Sequence, residues 1–591
     1  MRRLPDRRHL LRRPHVTHPF PAYLHGFAFT GQVGAIVAST PGEVQPAFEE
    51  LQRQVAAGLH AAGFVCYEAA GALNEAFNDA FSTTPGHPMP LMWFGLFTGR
   101  NAETFPQHGA PFRCSDWQTT PGSQRYRDSV QQIRELIAAG DSYQVNYTMR
   151  QRFAFSGCSR SFFSELCRNQ PTRYNCYLEC GRWRVLSASP ELFFSLSGGR
   201  LVTRPMKGTA PRGRWYEEDL DLKERLRRSP KEVAENLMIV DLLRNDMGMV
   251  SRTGSVRVNA LFDVESHPTV HQMTSTIESR VGEGVTPLEL FRALFPCGSV
   301  TGAPKRRSME IIGELERAPR GLYTGCLGYF SPGGEALFSV AIRTAILDCE
   351  TGQGEIGIGS GITYDSRPEA EYRECLDKRA FIEEQRPEFH LIESLLHDER
   401  GYFLLERHLE RLERSARYFS FPLAEGAPRR ALEETAAGLD RSAPHKVRLL
   451  LFKDGCLRCE AAPLPGAARE VKAAFARQRV SSADPFLYHK TSRRELFHQE
   501  RAHRPELDEV IFENERGEVT EGAYSNLIAV IDGTKCTPPL GCGLLPGTLR
   551  QELLAQGTIE ERVLSREDLA RAEVVFLVNS VRGWRRVTLV P

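Results

Sequence analysis

The sequence lacks an excess of charge of either sign, because 75 Lys and Arg residues face 74 Asp and Glu residues in a chain of 591. A nearly neutral protein has no global field that draws it to nucleic acid or to a lipid surface. It also lacks an apolar run long enough to cross a bilayer, and the Arg-rich start, Met1 to Arg13, lacks the apolar stretch of a secretory signal. These absences predict a cytoplasmic protein whose partners are small molecules or proteins.

Paired cysteine motifs are also scarce. The 14 cysteines are scattered along a large chain, which favours reduced thiols over a disulfide framework. Cys456 and Cys459 form a single C-x-x-C without the second pair that would complete a zinc site. A complete glutamine amidotransferase motif is missing as well, so we predict no cysteine chemistry.

The length exceeds what one hydrophobic core can fill and predicts more than one domain. From about residue 20 to 385, strand-like runs such as Glu191 to Leu196 alternate with helical runs such as Ser229 to Leu243, which indicates a mixed α/β domain. The pair Gly198-Gly199 between two apolar runs predicts a hairpin. The charged, Pro-containing stretch from Glu383 to Pro387 interrupts this pattern, so we predict domains over residues 1–385 and 386–591.

The second domain begins again with strand-like and turn-like pieces. Leu409, Leu412, Ala416 and Phe419 then recur at helical spacing, which predicts an amphipathic helix after a hairpin. The rest of this segment has the size of one more α/β domain.

Two pairs of glutamates, Glu232 with Glu235 and Glu371 with Glu374, are spaced three residues apart. In a helix that spacing places both carboxylates of a pair on one face, where they can bind one ion. The alternative is a solvated helix face, which spacing alone favours.

A series of longer motifs helps to decide between an ion-binding site and a solvated helix face. In chain order they are "AGDSYQVNYT" at Ala139, "SASPELFF" at Ser187, "TRPMKGTAPRG" at Thr203, "AENLMIVDLLRNDMG" at Ala234, "HPTVHQM" at His267, "FPCGSVTGAPKRRSMEII" at Phe295, "RGLYTGCLGYF" at Arg320, "SVAIRTA" at Ser339 and "GSGITYDSRPEAEYRECLDK" at Gly359. From about residue 125 to 385 the chain resembles the chorismate-utilising enzymes, the family that includes anthranilate and isochorismate synthases. The resemblance implies an anthranilate synthase component I-like α/β sandwich.

The resemblance also implies roles for individual residues. Hard-oxygen Mg²⁺ would clamp a substrate carboxylate, and the implied metal ligands are Glu232, Glu235, Glu371 and Glu374. An arginine fork suits carboxylates, and the implied substrate-binding residues are Gln144, Ser299, Tyr323, Arg343, Gly359, Gly361 and Lys378.

The nucleophile distinguishes products within this family. Gln144 stands where isochorismate and salicylate synthases have a lysine that activates water, so the resemblance argues against attack by water. Lys207 stands where anthranilate synthases usually have alanine, and it is implied to add to the substrate ring before ammonia. Glu191 would protonate the leaving hydroxyl, and His271 would transfer protons unless it is a packed core histidine.

Other motifs extend over nearly the whole second domain: "HLIESLL" at His390, "RHLERLERSARYF" at Arg407, "HKTSRR" at His489, "NERGEVTEGAYSNL" at Asn514, "GLLPGTLR" at Gly543 and "NSVRGW" at Asn579. It resembles fold type IV (D-amino acid aminotransferase-like) pyridoxal 5'-phosphate enzymes. Lys490 would bind the cofactor as a Schiff base and act in catalysis, and Glu521 would face the pyridine nitrogen. The implied phosphate-binding residues are Arg411, Gly547, Thr548, Leu549 and Ser580.

Together the two resemblances imply an enzyme that aminates chorismate and then releases p-aminobenzoate and pyruvate. Two alternatives remain open: an anthranilate synthase activity in the first domain, and a branched-chain or D-amino acid aminotransferase activity in the second. Ammonia would come from a separate glutamine amidotransferase subunit. The second domain is also a candidate for homodimer formation.

Overall fold

The computed structural model describes residues 11–12, 21–81, 86–106, 109–379, 382, 388–440, 442–466 and 469–590. The predicted boundary stretch, Glu383 to Pro387, and the Arg-rich start up to Leu10 lie outside these residues. The chain forms two compact units, one of Met1–Pro211 with Arg225–Arg386 and one of Arg212–Glu224 with Pro387–Pro591. Within the described residues, no helix combines the length and apolar character needed to cross a membrane.

The first unit is a mixed α/β domain in which long antiparallel strands carry most of the site residues. Its described strands are Leu11–Arg12, Ala22–Leu24, Phe27–Ala38, His60–Val65, Met92–Ala102, Phe112–Thr120, Gln144–Gly157, Tyr174–Cys180, Trp183–Ser189, Leu192–Ser197, Arg200–Arg204, Met206–Pro211, Arg257–Ser266, Val270–Arg280, Gly302–Ala303, Cys326–Ser331, Glu335–Val340, Thr344–Asp348 and Gln353–Ile362. Its described helices are Pro41–Ala56, Ala69–Leu73, Ser123–Ala138, Ser159–Asn169, Pro230–Gly248, Pro287–Leu294, Lys305–Glu316 and Pro368–Asp377, with the last turn of Tyr216–Arg228.

Local sequence signals account for several of these elements. Gly198 and Gly199 both have positive φ, 55° and 73°, and they join Leu192–Ser197 to Arg200–Arg204 with Ser197 opposite Arg200. The predicted hairpin is therefore confirmed. The hydroxyl of Ser229 caps the helix Pro230–Gly248 by accepting from the amide of Glu232, and Pro230 suits its first turn.

The first unit buries separate apolar clusters. One packs Phe94, Phe291, Phe330 and Phe338 among aliphatic side chains. Another surrounds Tyr147 on the strand Gln144–Gly157, which pairs along its length with Gln353–Ile362. This pair of strands packs against that cluster and brings Gln144 and Gly361 to one region of the unit.

The second unit combines two sheets with five described helices and the start of a sixth. The described strands of the smaller sheet are Leu391–Asp398, Gly401–Tyr402, His445–Leu451 and Leu457–Pro463. Those of the larger sheet are Glu470–Phe475, Glu509–Glu513, Val519–Gly522, Asn526–Ile531, Thr534–Thr537, Glu560–Glu561, Val574–Asn579 and Gly583–Leu589. The helices are Leu405–Phe419, Ala427–Ala437, Glu495–Ala502, Thr548–Ala555 and Arg566–Arg571. Residues 216–224 of the helix Tyr216–Arg228 also belong to this unit.

The predicted stripe in the second domain lies on the helix Leu405–Phe419, where Leu409, Leu412 and Ala416 are buried. Their apolar side chains form a core with Leu449 of the smaller sheet. The same helix also buries His408 and Arg411, so one helix face joins the core to a polar site.

Candidate active sites

A cavity of about 230 Å³ in the first unit, here called the first cavity, collects nearly all of the residues predicted for that domain. Those that line it are Gln144, Glu191, Lys207, Glu232, Glu235, Ser299, Tyr323, Arg343, Gly359, Gly361, Glu371, Glu374 and Lys378. All but Glu232, which lies two residues before a motif, come from eight separate motifs. The fold therefore brings distant polar residues together, which favours a site over a set of unrelated surface charges.

Two glycines make room for the polar groups of the first cavity. A Cβ on Gly361 would lie 2.4 Å from Nε2 of Gln144 and 3.1 Å from Nζ of Lys207. A Cβ on Gly357 would lie 2.0 Å from Cγ of Tyr323. The strand Gln353–Ile362 can therefore approach these side chains only because it carries glycine.

Arg343 supplies an uncompensated positive charge. Burial lowers its pKa to about 10, with no opposing contribution from a carboxylate. Among the described residues its guanidinium has no ion-pair partner. A desolvated arginine without a counter-ion is a binding group for an anion, and its planar fork fits a carboxylate.

Lys207 and Glu191 are an amine and an acid with shifted pKa values. Burial lowers the pKa of Lys207, although the carboxylates of Glu235 and Glu191 act to raise it. Burial raises the pKa of Glu191 to about 7, against a hydrogen bond with Ser299 and the charge of Lys207. Glu191 is 3% exposed, and its Oε1 has no hydrogen-bond partner among the described residues. Burial favours the uncharged amine of Lys207 and the protonated acid of Glu191, which are the forms that a nucleophile and a general acid require.

The four predicted metal ligands share the first cavity but do not converge on one point. Burial raises the pKa of Glu232 and of Glu235, and neighbouring carboxylates add to both effects. The carboxylate of Glu374 pairs with Nζ of Lys378 at 2.6 Å, and that of Glu371 accepts from Ser366 at 2.7 Å. In the described ranges no three His, Cys, Asp or Glu side chains are close enough to ligate one ion. The oxygen donors suit Mg²⁺ in type, and a divalent cation would relieve the mutual repulsion of the carboxylates.

His271 does not reach the first cavity. Its side chain is fully buried, and its Nδ1 lies 3.0 Å from the hydroxyl of Ser266. The cavity wall contains its neighbour Gln272 instead, because successive residues of a strand face opposite sides. This placement corrects the expectation of a proton-transfer residue and favours the alternative of a packed histidine.

A cavity of about 420 Å³ in the second unit, here called the second cavity, collects the predicted cofactor residues. Those that line it are Arg411, Lys490, Glu521, Gly547, Thr548 and Ser580. Leu549 is not part of the wall; it is buried in the first turn of the helix Thr548–Ala555.

The shifted pKa values of Lys490 and Glu521 suit a cofactor that has an aldehyde group and a pyridine ring. Burial, together with the charges of Arg494 and Arg411, lowers the pKa of Lys490 to about 7, so the amine is largely uncharged above neutral pH. Burial raises the pKa of Glu521 to about 7, and its Oε2 accepts from Asn526 at 3.1 Å. A buried acid of this kind can share a proton with a ring nitrogen.

A buried polar network that the sequence did not predict supports the wall of the second cavity. Arg411 donates to both oxygens of Glu393, at 2.9 and 2.7 Å. The other end of the network is His408, whose Nδ1 lies 2.6 Å from Glu393 and whose Nε2 lies 3.0 Å from Ser580 and 3.2 Å from Thr548. His408 stands within the "RHLERL" motif, which is the signal that could have identified it.

The start of the helix Thr548–Ala555 supplies amide groups at this wall. The amide of Gly547 donates to the carbonyl oxygen of Leu545 at 2.8 Å, so it is already used. Amides in the first turn of a helix have no acceptor within the helix and suit a phosphate. The predicted phosphate site therefore depends on Thr548 and Leu549 more than on Gly547.

Comparisons with known proteins give a family match for each of the two domains. Residues 96–384 match the model of the chorismate binding enzyme family, and residues 390–590 match the model of amino-transferase class IV. The first domain belongs to the former family and the second to the latter. The class IV match implies pyridoxal phosphate as the cofactor of the second domain.

Relatives of the first domain include two enzyme groups. The chain is 42% identical over 264 residues to aminodeoxychorismate synthase component 1 of Escherichia coli, which covers 45% of this chain and 58% of that protein. It is 40% identical over 263 residues to anthranilate synthase component 1 of Aquifex aeolicus, which covers 44% of this chain and 53% of that protein. The chain thus spans little more than half the length of these curated relatives.

A solved structure shows the fold of the first domain. Anthranilate synthase component I of Streptococcus pneumoniae superimposes with a TM-score of 0.53 at 24% identity, over 64% of this chain and 95% of that chain. The predicted anthranilate synthase-like α/β architecture is confirmed.

Proposed function

We propose that this chain converts chorismate and ammonia into 4-amino-4-deoxychorismate in the first cavity, and that intermediate into p-aminobenzoate and pyruvate in the second. The observation that carries the proposal is that each cavity contains a lysine whose pKa is lowered by burial. These are Lys207 in the first cavity and Lys490 in the second. Burial favours the uncharged form of each amine, and an uncharged amine can act as a nucleophile or a base.

In the first reaction Arg343 binds a carboxylate of chorismate and orients the ring. Nζ of Lys207 adds to C2 of the ring while the C4 hydroxyl leaves as water, protonated by Glu191. Ammonia then attacks C4 and displaces the lysine, so the sum is chorismate plus ammonia giving the amino compound plus water. The neutral amide of Gln144, in place of a base, does not favour attack by water.

Magnesium is proposed as the metal of the first cavity. Glu232, Glu235, Glu371 and Glu374 would hold it. Their shared location supports that assignment, and so do the raised carboxylate pKa values of Glu232 and Glu235. A bound Mg²⁺ supplies positive charge that neutralises a substrate carboxylate.

In the second reaction Lys490 removes the proton at C4 of the amino compound. The C3–O bond breaks, the ring becomes aromatic, and enolpyruvate takes up a proton to give pyruvate. Pyridoxal phosphate supplies the electron sink for this proton removal. Glu521 would keep a proton at the pyridine nitrogen, and Arg411, Thr548 and Ser580 would hold the phosphate.

The ammonia source is proposed to be a separate glutamine amidotransferase subunit. Support comes from the missing amidotransferase motif and from the E. coli relative, which is named as a component 1. A homodimer through the second domain and a cytoplasmic location also remain proposals.

The test supplies the full-length holoenzyme with chorismate, ammonium and MgCl2 and separates the products by chromatography. We expect p-aminobenzoate and pyruvate in equal amounts. A Lys207→Ala variant should lose amination, while a control at the solvent-exposed Lys535, Lys535→Ala, should not.

Two outcomes would contradict the proposal. Formation of anthranilate would assign the first cavity to anthranilate synthesis. Formation of glutamate from an amino acid and 2-oxoglutarate, without p-aminobenzoate from the amino compound, would make the second domain an aminotransferase.

A further inference from the structure

The second cavity carries more positive charge than its cofactor residues explain. Apart from the groups assigned above, its described wall includes the cationic side chains Lys446, Arg494, Arg501, Arg582 and Arg585, opposed by the carboxylates of Asp508 and Glu509. An excess of cations in a partly enclosed cavity favours an anionic ligand.

Arg494 lies four residues after Lys490, directly before the helix Glu495–Ala502, and has an unused donor. Its guanidinium donates to the carbonyl oxygen of Ala523 and lies 4.4 Å from the ring of Phe497. Its Nε–H has no acceptor among the described residues. Arginine has five N–H donors in a fixed fork, and the unpaired Nε–H is one that a ligand could satisfy.

Arg585 is a second arginine with the same property. It is 8% exposed, and its Nε–H also has no acceptor in the described part of the chain. Its terminal nitrogen donates to Ser525 at 3.0 Å and lies 3.4 Å from Glu509. Glu509 is the ion-pair partner of this guanidinium, but the Nε–H stays without an acceptor. Buried donors without partners are unfavourable unless a ligand satisfies them.

We propose that Arg494 and Arg585 form a dicarboxylate-binding subsite in the second cavity, with one guanidinium for each carboxylate of the substrate. The inference rests on the proposed function and deepens it. Amination at C4 leaves both carboxylates of chorismate in place, so the substrate of the second cavity is a dianion. An aminotransferase for ordinary neutral amino acids would need one arginine, and the second one selects for the dicarboxylate.

The test uses the cofactor's visible absorption band as a reporter of the second cavity alone. Chorismate without ammonium is titrated into the full-length holoenzyme, since it has both carboxylates but lacks the amine that reacts. We expect saturable binding in the wild type. Arg494→Gln and Arg585→Gln should each raise the dissociation constant about 10- to 100-fold, which is the usual effect of losing one charged hydrogen-bonded contact.

Matched variants separate binding from folding. Arg571→Gln changes an exposed arginine outside the second cavity and should bind chorismate like the wild type. Because Arg585→Gln leaves Glu509 without its cation, the double variant Arg585→Gln, Glu509→Gln removes both charges and should bind chorismate as weakly as the single variant. Benzoate, with one carboxylate, should be affected by fewer of these substitutions than chorismate.

Unchanged chorismate binding in Arg494→Gln and in Arg585→Gln, or no binding to cofactor-loaded wild type, would overturn the subsite. Failure of the proposed function looks different. If wild type binds chorismate through both arginines but releases no p-aminobenzoate from 4-amino-4-deoxychorismate, then the subsite holds and the lyase assignment is wrong.

Discussion

Glu191 offers a test in which stability and activity should change in opposite directions. Replacing Glu191 by Gln keeps the size of the side chain and the hydrogen bond with Ser299, but removes the ionisable proton. Glu191 has a pKa of about 7 in the folded protein against 4.5 as its ordinary value. The difference of about 2.5, at about 1.4 kcal/mol per pKa unit, corresponds to about 3 kcal/mol.

The sign follows from which state binds the proton. At low pH the folded and unfolded states are both protonated at this position, so Glu191 contributes no pH-dependent free energy. As pH rises past 4.5 the unfolded state loses its proton while the folded state keeps it until about pH 7, so the wild type loses stability over that window. Glu191→Gln should therefore be more stable than wild type by up to about 3 kcal/mol at pH 8, and by under about 1 kcal/mol at pH 5.

Urea unfolding at both pH values measures this difference, using the transition that shifts when chorismate is added. Amination by the same variant should fall about 10²- to 10⁴-fold, because a general acid is lost. Glu283→Gln, at a side chain that is 93% exposed, should leave both properties unchanged. A Glu191→Gln variant that aminates normally, or that is no more stable than wild type at pH 8, would refute the reasoning.

Three further substitutions test other groups. Arg343→Gln should raise the KM for chorismate about 10- to 100-fold in steady-state kinetics, because a charged hydrogen bond is lost; an unchanged KM would contradict its role. Glu232→Gln should raise the MgCl2 concentration for half-maximal amination at least about tenfold, and an unchanged magnesium titration would remove Glu232 from the metal site. His408→Phe should weaken pyridoxal phosphate binding about tenfold in an absorbance titration of apoprotein, since it breaks the contacts to Ser580 and Thr548; equal affinity would limit the network to folding.

The residues of the first cavity could be proposed from the sequence because they lie in or beside long contiguous motifs. Lys207, Glu191 and Arg343 each sit inside a motif whose order along the chain specifies the family, so their shared cavity could be expected. The shifts in their pKa values could not be expected from the motifs. The lowered pKa of Lys207 depends on burial, and burial is created by distant strands.

For His271, the motif did not indicate on which side of its strand the side chain lies. A motif fixes a position along the chain, but the face of the strand to which it points depends on register. In the strand Val270–Arg280, Ala210 of the neighbouring strand lies opposite His271, and Gln272 takes the place in the wall. A single residue along a strand decides between cavity and core.

The sequence did not reveal two features of the second unit, because both depend on contacts between residues that are separated along the chain. The segment Arg212–Glu224 belongs to this unit although it lies within the first predicted domain. Its carbonyl at Gly213 accepts from the hydroxyl of Tyr418 at 2.7 Å, a contact across 205 residues. No local pattern encodes such a pairing, and the same holds for the bond between Arg411 and Glu393.

The most direct test of two successive reactions mixes two inactive proteins. Lys207→Ala and Lys490→Ala variants are each incubated with chorismate, ammonium, MgCl2 and pyridoxal phosphate, alone and together, and p-aminobenzoate is quantified. We predict none from Lys207→Ala, an accumulating amino compound from Lys490→Ala, and p-aminobenzoate from the mixture as the intermediate passes between proteins. Normal release of p-aminobenzoate by Lys490→Ala alone would contradict the account.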